Sequence, residues 1–355
     1  MNNEFNFQWH ITNRCNLRCR HCYQDDFTAN AELEWPGLRS VADNILNTLK
    51  GWGKTTSINI TGGEPMLKKE LTPLLEYLDK SPQVNELTII TNGTLIDENS
   101  IALFKKIPKL KNIKLSLDGA SEEVNGYIRK PGSLETIKNA IRLIKSSSKL
   151  KVIIMFTLMK KNLKDTAHIF DLCKEEDLDS LILERFIPQG QGSKIRDEVL
   201  NKQDWREVVD LVTDFCSLTV NEKDILPFKA FWVKFRKNEP LKLYGAACNV
   251  GDDSLCIMPD AKVYPCRRFN KPIGELLDSS LKNIWENSPL LKEVRKRSCL
   301  KGKCATCDID CFGCRALAYS MTGDYLAEDS QCWYINNRSK RSEKQEALRS
   351  IQIKK

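Results

Sequence analysis

The sequence predicts an α/β fold built on a parallel sheet, followed by a smaller cysteine-rich region. Up to about residue 188, short runs rich in β-branched residues alternate with amphipathic helical stretches, which is typical of repeated βα units. Beyond about residue 243 the character changes, and nine of the 14 cysteines lie between Cys248 and Cys332. The hydrophobic fraction of 41% and the charged fraction of 29% are those of an ordinary globular protein.

Six βα units are predicted in the first region. Apolar residues recur at helical spacing between the strands, which predicts helices over Leu38–Lys50, Leu67–Asp79, Ser133–Lys145 and Leu163–Glu176. Six such units form either an open doubly wound sheet or an incomplete barrel, and periodicity does not decide between them. Both architectures place functional loops at the carboxyl ends of the strands. The predicted strands are Phe7–Thr12, Ser57–Thr61, Leu87–Thr91, Asn112–Asp118, Lys151–Leu158 and Ser180–Ile187.

The chain is divided into three parts on composition. Residues 1–242 form the βα region, which ends in a helical connector rich in aromatics from about Gln203 to Lys237. Residues 243–336 form the cysteine-rich second domain. Residues 337–355 carry an excess of Lys and Arg, which indicates a solvated helix or a docking surface for an acidic partner.

Several classes of protein are excluded by composition. The longest apolar stretch, Val152–Met159, is far shorter than the roughly 20 residues that cross a bilayer, and the N-terminus does not resemble a secretory signal. We therefore expect a cytoplasmic protein without a membrane partner. In that reducing compartment, 14 cysteines favour metal binding or catalysis over disulfides. No basic segment is interleaved with stacking aromatics, so nucleic acid is not an expected partner.

The first cysteine cluster follows the first predicted strand. Cys15, Cys19 and Cys22 are three soft thiolate ligands from one short loop, which can hold three irons of a four-iron cluster. The fourth iron would have no protein ligand, and an open metal position is typical of a catalytic site. The alternative is a zinc site with His21 as fourth ligand, but His21 adjoins Cys22 and would strain a tetrahedral cage.

Other polar residues follow the predicted strands. Gly62 and Gly63 permit close backbone approach to a ligand, Glu64 can accept a hydrogen bond from an ammonium group, and Pro65 stiffens the chain after the second strand. By itself this segment is only a turn. The other candidates at strand ends are Asn92 after the third strand, Ser116 and Asp118 for ribose hydroxyls on the fourth, Thr157 on the fifth, Glu184 or Arg185 on the sixth, and Arg129 for a carboxylate. Asp118 has the alternative of a structural turn with Gly119.

The cluster loop, the Gly62–Pro65 turn and Ser116 together resemble the radical S-adenosylmethionine (radical SAM) superfamily over about residues 7–188. The resemblance implies a partial six-stranded (β/α)6 barrel and a four-iron cluster on Cys15, Cys19 and Cys22. Tyr23 matches the aromatic residue beside the last cysteine, and the resemblance implies that the Gly62–Pro65 turn meets the amino group of S-adenosylmethionine. The implied chemistry is reductive cleavage of S-adenosylmethionine to a 5′-deoxyadenosyl radical, which abstracts hydrogen from a substrate.

The second cysteine group has too many thiols for one tetrahedral site, although Cys304, Cys307, Cys311 and Cys314 alone would suit a zinc knuckle. The pattern resembles the SPASM domain, which carries auxiliary iron–sulfur clusters. The resemblance implies two more four-iron clusters, three in all. One is expected on Cys248, Cys256, Cys266 and Cys314, and the other on Cys304, Cys307, Cys311 and Cys332. The sequence departs from the family pattern at Ala261, in the short gap from Cys307 to Cys311, and in the extra Cys299.

The SPASM resemblance implies a peptide or protein substrate that is crosslinked, epimerised or oxidised. The cluster motif begins at Cys15, which leaves no room for an N-terminal leader-binding domain, so we expect a separate recognition protein or direct binding at a sheet edge. An electron donor such as flavodoxin or ferredoxin is also expected. The alternatives are a radical SAM enzyme of cofactor or haem biosynthesis that acts on a small molecule, and, in another class, a zinc-stabilised scaffold protein.

Overall fold

The computed structural model describes residues 3–235 and 239–334 and contains one sheet of eleven strands. The six predicted strands are present, are parallel and are neighbours in chain order, so the predicted α/β class with a parallel sheet is confirmed. The strands are β1 (Asn6–His10), β2 (Thr56–Thr61), β3 (Val84–Thr91), β4 (Leu110–Ser116), β5 (Lys151–Leu158), β6 (Ser180–Arg185), β7 (Phe228–Lys234), β8 (Lys242–Ala247), β9 (Ser254–Ile257), β10 (Lys262–Tyr264) and β11 (Gly274–Glu275).

Helices connect the parallel strands, and short helices follow in the cysteine-rich region. They are α1 (Trp35–Trp52), α2 (Leu71–Asp79), α3 (Glu98–Phe104), α4 (Glu122–Ile128), α5 (Ser133–Ser147), α6 (Thr166–Glu175), α7 (Lys202–Phe215), α8 (Glu222–Ile225), α9 (Leu281–Asn287), α10 (Pro289–Val294), α11 (Lys303–Thr306) and α12 (Arg315–Thr322). Among the described residues, no helix is long and apolar enough to cross a membrane.

The sheet is an incomplete barrel. The buried faces of α1, α2, α5 and α6 join a single apolar core with alternate strand residues such as Phe7, Ile58, Ile89, Leu115 and Ile154. Ile90, Ile153, Met155 and Ile182 point to the opposite side and form a separate small cluster with Trp232. A doubly wound sheet carries helices on both faces, whereas here the main helices cover one face and the other lines a lumen. The strand order runs from β11 to β8 without closing.

Several element ends differ from the prediction. The fourth strand ends at Ser116, so Asp118 lies in the following loop, where its backbone N–H donates to Asn125 Oδ1 at 3.0 Å. The helix predicted from Leu67 begins at Leu71, because Pro65–Leu67 forms a 3₁₀ turn. Helix α3 was not predicted; Asp97 caps it by accepting from Ser100 N.

The sheet continues beyond the predicted sixth strand. The aromatic-rich connector contains β7 and is followed by β8, and both pair antiparallel at one end of the sheet. At the other end β9 pairs parallel with β1, so part of the cysteine-rich region extends the same sheet. The division at residues 242 and 243 stays a prediction, and the basic tail 337–355 lies outside the described residues.

Candidate active site

Glu32 holds the start of the cluster loop. Its carboxylate accepts hydrogen bonds from Thr12 Oγ1 at 2.5 Å, Asn13 N at 2.7 Å and Arg14 N at 3.4 Å. Lys68 Nζ lies 3.2 Å from the same carboxylate, and both side chains are buried. Because the loop's backbone donors are bonded to one buried anion, the chain leaves β1 in a fixed direction and places the first cysteine beside the second strand.

The glycine turn after β2 packs directly on the cluster loop. Gly63 N donates to Thr12 O and Glu64 N donates to Arg14 O, both at 2.8 Å. A Cβ added to Gly63 would collide with the carbonyl oxygen of Arg14, and one added to Gly62 would lie 2.5 Å from Thr12 O. The two glycines are therefore required by the close approach of two backbones, whatever ligand the turn binds.

Glu64 is buried and fully bonded by the protein. Its carboxylate accepts from Thr91 Oγ1 at 2.7 Å, Asn92 N at 2.8 Å and Met66 N at 3.1 Å. Burial raises the pKa of Glu64 to about 7, against the opposing effect of these three hydrogen bonds. A bound cation would stabilise its charged form.

One cavity collects most of the predicted site residues. It is lined by Cys15, Cys19, Cys22, Tyr23, Gly62, Gly63, Asn92, Ser116, Arg129 and Thr157. Glu184 and Arg185 also line it, together with Arg267 and Arg268 from the cysteine-rich region. Glu64, Pro65 and Asp118 are not among the lining residues. The side chains lie at the carboxyl ends of the parallel strands, where the predicted fold places a site.

Asp118 lies behind the cavity wall and not in it. Its Oδ1 accepts from Thr157 N at 2.7 Å, and its Oδ2 lies 2.6 Å from Arg129 Nη2 and 3.2 Å from His21 Nε2. Burial would lower the pKa of Arg129, but the Asp118 carboxylate outweighs this and raises it. Asp118 therefore positions Arg129 and His21, and its predicted contact with a ribose stays a prediction.

The three loop thiols can become thiolate ligands of an iron–sulfur cluster, because the iron ions supply positive charge. Burial raises the pKa of Cys19 to about 11 and that of Cys22 to about 12, so the thiols are protonated in the metal-free chain. Iron binding would displace these protons, as for thiolate ligands in general. Arg129 Nη1 lies 3.9 Å from Cys19 Sγ and would offset the negative charge of a thiolate cluster. The residues present fit the predicted iron–sulfur cluster.

The four cysteines predicted to hold the second auxiliary cluster line a cavity of about 310 Å³. They are Cys304, Cys307, Cys311 and Cys332. Cys299 is not among its lining residues. Among the residues that the structure describes, no three His, Cys, Asp or Glu side chains are grouped to hold a single metal ion. Four thiols around a space of this size suit a multi-iron cluster better than one zinc ion with ligands at about 2.3 Å.

The four cysteines predicted to hold the first auxiliary cluster are also close enough to interact. Burial raises the pKa of Cys248 to about 12, with further contributions from Cys314 and Cys266. Burial likewise raises the pKa of Cys256, and Cys266 adds to the increase. The four thiols thus influence one another, although their assignment to one cluster stays a prediction. Arg268 Nη1 donates to Arg185 O at 2.6 Å and links this region to the barrel.

Two family profiles match the chain. The profile described as "Radical SAM superfamily" covers residues 9–173, and the SPASM profile, described as "Iron-sulfur cluster-binding domain", covers residues 248–308. The chain therefore contains a radical SAM domain and a SPASM domain. The predicted family and the predicted enzyme class are confirmed, and these two domains imply iron–sulfur clusters and S-adenosylmethionine as cofactors.

The radical SAM chain also resembles named proteins over most of its length. It is 26% identical over 345 residues to "AdoMet-dependent heme synthase" of Nitratidesulfovibrio vulgaris, covering 92% of this chain and 91% of that one. Its fold matches a crystal structure of Streptococcus suis SuiB bound to S-adenosylmethionine at 18% identity (TM-score 0.69; 93% of this chain and 77% of SuiB). It also matches anSMEcpe with bound AdoMet and the Cp18Cys peptide at 20% identity (TM-score 0.70; 93% and 94%). At these identities the two structural matches establish the fold alone.

Sequence reasoning missed several polar residues of this radical SAM site. His10 Nδ1 lies 3.3 Å from the hydroxyl of Tyr23, and burial, assisted by Arg267, lowers the pKa of His10 to about 3. Arg267 also forms an ion pair with Glu184. Lys114 lies on the lumen side of β4, two residues before Ser116, and that shared face was the available signal. Arg267 was signalled only by adjacency to Cys266.

Proposed function

We propose that this protein reductively cleaves S-adenosylmethionine and abstracts hydrogen from a carboxylate-bearing small molecule of the tetrapyrrole class. The observation that carries the proposal is the joining of two sets of groups in one cavity. The cluster thiols and the glycine turn lie on one side, and Arg267 and Arg268 enter from the cysteine-rich region on the other. Guanidinium groups are suited to carboxylates, which such molecules carry as side chains.

The proposed substrate class was the alternative in the sequence prediction, which put a peptide first. The relative named as an AdoMet-dependent haem synthase aligns with 92% of this chain and is itself covered to 91%. A haem-pathway or related cofactor reaction was the alternative in the sequence analysis, and this full-length alignment supports it.

The proposed roles of the chain's residues follow from their positions. When bound, the cluster on Cys15, Cys19 and Cys22 together with S-adenosylmethionine supplies a 5′-deoxyadenosyl radical. The turn of Gly62 and Gly63 receives the ammonium group of the methionine moiety, and Glu64 holds that turn through its bonds to Thr91 and Asn92. Arg129, whose Nε is buried without an acceptor among the described residues, binds the carboxylate.

The remaining proposed cofactor contacts hold the turn and the nucleoside. Tyr23 donates its hydroxyl hydrogen to Gly62 O at 3.2 Å and so holds the glycine turn against the cluster loop. Ser116, Asn92 and Thr157 provide polar contacts to the nucleoside. The two groups of auxiliary cysteines hold one four-iron cluster each, so the protein holds three clusters together with the one on the cluster loop. The protein works in the cytoplasm and receives electrons from a flavodoxin- or ferredoxin-type donor.

A peptide substrate is the second candidate, favoured by an edge strand of the sheet that the described residues form. Strand β8 is the last in the strand order, and Tyr244 on it is 46% exposed. An extended peptide can add to such an edge. The fold of anSMEcpe, whose structure holds a bound peptide, supports this reading at the level of fold. A separate recognition protein belongs to this candidate.

The test is anaerobic reconstitution followed by analysis of iron, sulfide and deoxyadenosine. The expected result is about twelve irons per chain and deoxyadenosine after reduction. Cys19→Ala should abolish deoxyadenosine formation, whereas Cys173→Ala, which removes a buried thiol in α6, should leave it intact. Bound zinc without iron, or deoxyadenosine from Cys19→Ala, would contradict the proposal. A carboxylated porphyrin that raises deoxyadenosine yield would favour the first substrate class, and a peptide that does so would favour the second.

A further inference from the structure

Lys114 has an incomplete set of partners in the barrel lumen. It lies two residues before Ser116, which lines the cavity, and it shares the lumen face with that residue. Its Nζ donates to Asn59 Oδ1 at 2.9 Å. Within the described part of the chain, no carboxylate lies within 4.0 Å of this ammonium group. An ammonium group has three N–H donors, so donors remain for a ligand.

Trp232 brings a second donor to the same place. Lys114 Nζ lies 5.5 Å from the centre of the Trp232 ring, which packs against Ile90, Met155 and Ile182. The indole Nε1 is buried and has no acceptor among the residues described. A buried N–H without a partner is unfavourable, and a ligand oxygen would satisfy it. The lumen therefore combines an apolar wall with two kinds of unfilled donor.

The charges around the cavity distinguish Lys114 from the other cations there. The four arginines that line the cavity already have a carboxylate partner: Arg129 with Asp118, Arg185 with Asp329, and Arg267 and Arg268 with Glu184. Burial lowers the pKa of Lys114 to about 8; Glu184 and Glu86 oppose the shift, and Arg267 adds to it. Lys114 is therefore a cation at neutral pH whose neighbours do not neutralise it at contact distance.

We infer that Lys114 and Trp232 form a binding site for a carboxylate group of the substrate, in the lumen beneath the cavity. The inference rests on the proposed function and deepens it, because it assigns an anchor for the carboxylate. The site holds one end of the substrate near the middle of the strands. The apolar body then rests on Ile90 and Met155 and extends toward the cluster loop.

The experiment compares a porphyrin that carries propionate side chains with its methyl ester, which has the same ring without the charges. Each is titrated by absorbance into the reconstituted full-length protein under anaerobic conditions. The variants are Lys114→Met, which removes the charge at similar length, and Trp232→Phe, which removes the indole N–H. Lys111→Met is the matched control, since Lys111 lies on the same strand and is exposed.

The original protein should bind the acid about 10- to 100-fold more tightly than the ester, as expected for a hydrogen-bonded charge pair. Lys114→Met should lower the preference about 10-fold or more, Trp232→Phe should lower it less, and Lys111→Met should retain it. A Lys114→Met variant that keeps the preference would overturn the inference. So would an original protein that binds both forms equally or binds neither.

Failure of the proposed function is visible separately. Deoxyadenosine formation without substrate reports on the cofactor contacts, and the exposed control Lys111→Met should leave it unchanged. Loss of that activity in the original protein would count against the proposed radical chemistry and not against the carboxylate site. Acid-selective binding without turnover of the porphyrin would support the carboxylate site and contradict the proposed substrate.

Discussion

Replacing Asp329 tests how strongly the barrel depends on the cysteine-rich region. This carboxylate is buried, and its Oδ2 accepts from Arg185 Nη1 at 2.8 Å and from Cys314 N at 2.9 Å. Lys229 Nζ lies 3.6 Å from the same oxygen, and Oδ1 accepts from Gln331 N at 3.1 Å. Asp329→Asn keeps the size of the side chain and removes its charge.

The magnitude follows from what the substitution leaves behind. Burial alone would raise the pKa of Asp329, but Arg185, Lys229 and the backbone donors reverse this and hold it well below the usual range. The native carboxylate is therefore the favoured form, and its loss leaves two buried or partly buried cations uncompensated. Breaking one partner of a buried pair costs about 3–5 kcal/mol of unfolding free energy. Glu135→Gln removes the charge from the exposed pair of Glu135 and Arg142, whose N and O atoms lie 3.4 Å apart. It should cost less than about 1 kcal/mol of unfolding free energy.

The assay is denaturant unfolding of reconstituted protein under anaerobic conditions, with iron content measured on the same samples. Asp329→Asn should shift the unfolding midpoint far more than Glu135→Gln. It should also lower iron content, because Cys314 N loses its anionic acceptor. Equal, small shifts for the two variants would refute the reasoning that the buried carboxylate joins the two parts of the chain.

Three further outcomes are expected. Gly63→Ala should lower both iron content and deoxyadenosine yield, because the new methyl group displaces the cluster loop. Gly51→Ala has open space around its methyl group, so iron content and deoxyadenosine yield should be unchanged. The free energy of unfolding should rise by about 0.5–1 kcal/mol. Cys307→Ser should reduce bound iron by about one cluster in iron analysis, whereas Cys299→Ser should not, and equal losses would contradict the assignment. Affinity for a carboxylate ligand should be full at pH 7 and fall as pH rises through about 8, because Lys114 is charged only below its pKa; titrations at pH 7 and 9 should differ for the original protein and agree for Lys114→Met.

The parallel part of the fold was predictable because its signals are local. Strands β2 to β6 each include β-branched residues, and amphipathic helices lie between most of the strands. The edge strands were harder, since they depend on pairing between distant segments. Phe231 and Val233 alternate with Trp232 between the two faces of β7, but among so many aromatics the segment also suited a helix. Sheet pairing, not local preference, decides such a segment.

The site residues, too, were predictable only where the signal is local. Cys15, Cys19 and Cys22 were predicted because their spacing places three ligands in one loop. Asp118 was assigned to the strand face of Ser116 because two-residue spacing implies a shared face. The strand ends at Ser116, so Asp118 turns away to pair with Arg129. Lys114 was not predicted, since its importance depends on Trp232, which lies far along the chain.

The parallel pairing of β1 with β9 has a consequence for synthesis of the protein. Asn6 pairs with Ser254, so the first strand leaves the ribosome 248 residues before its partner. At about 5–20 residues per second, that edge stays uncovered for roughly 12–50 s. An uncovered strand edge is a hazard for aggregation, and this strand carries two large apolar side chains, Phe7 and Trp9. The nascent chain is therefore expected to depend on chaperones until Ser254–Ile257 has been made.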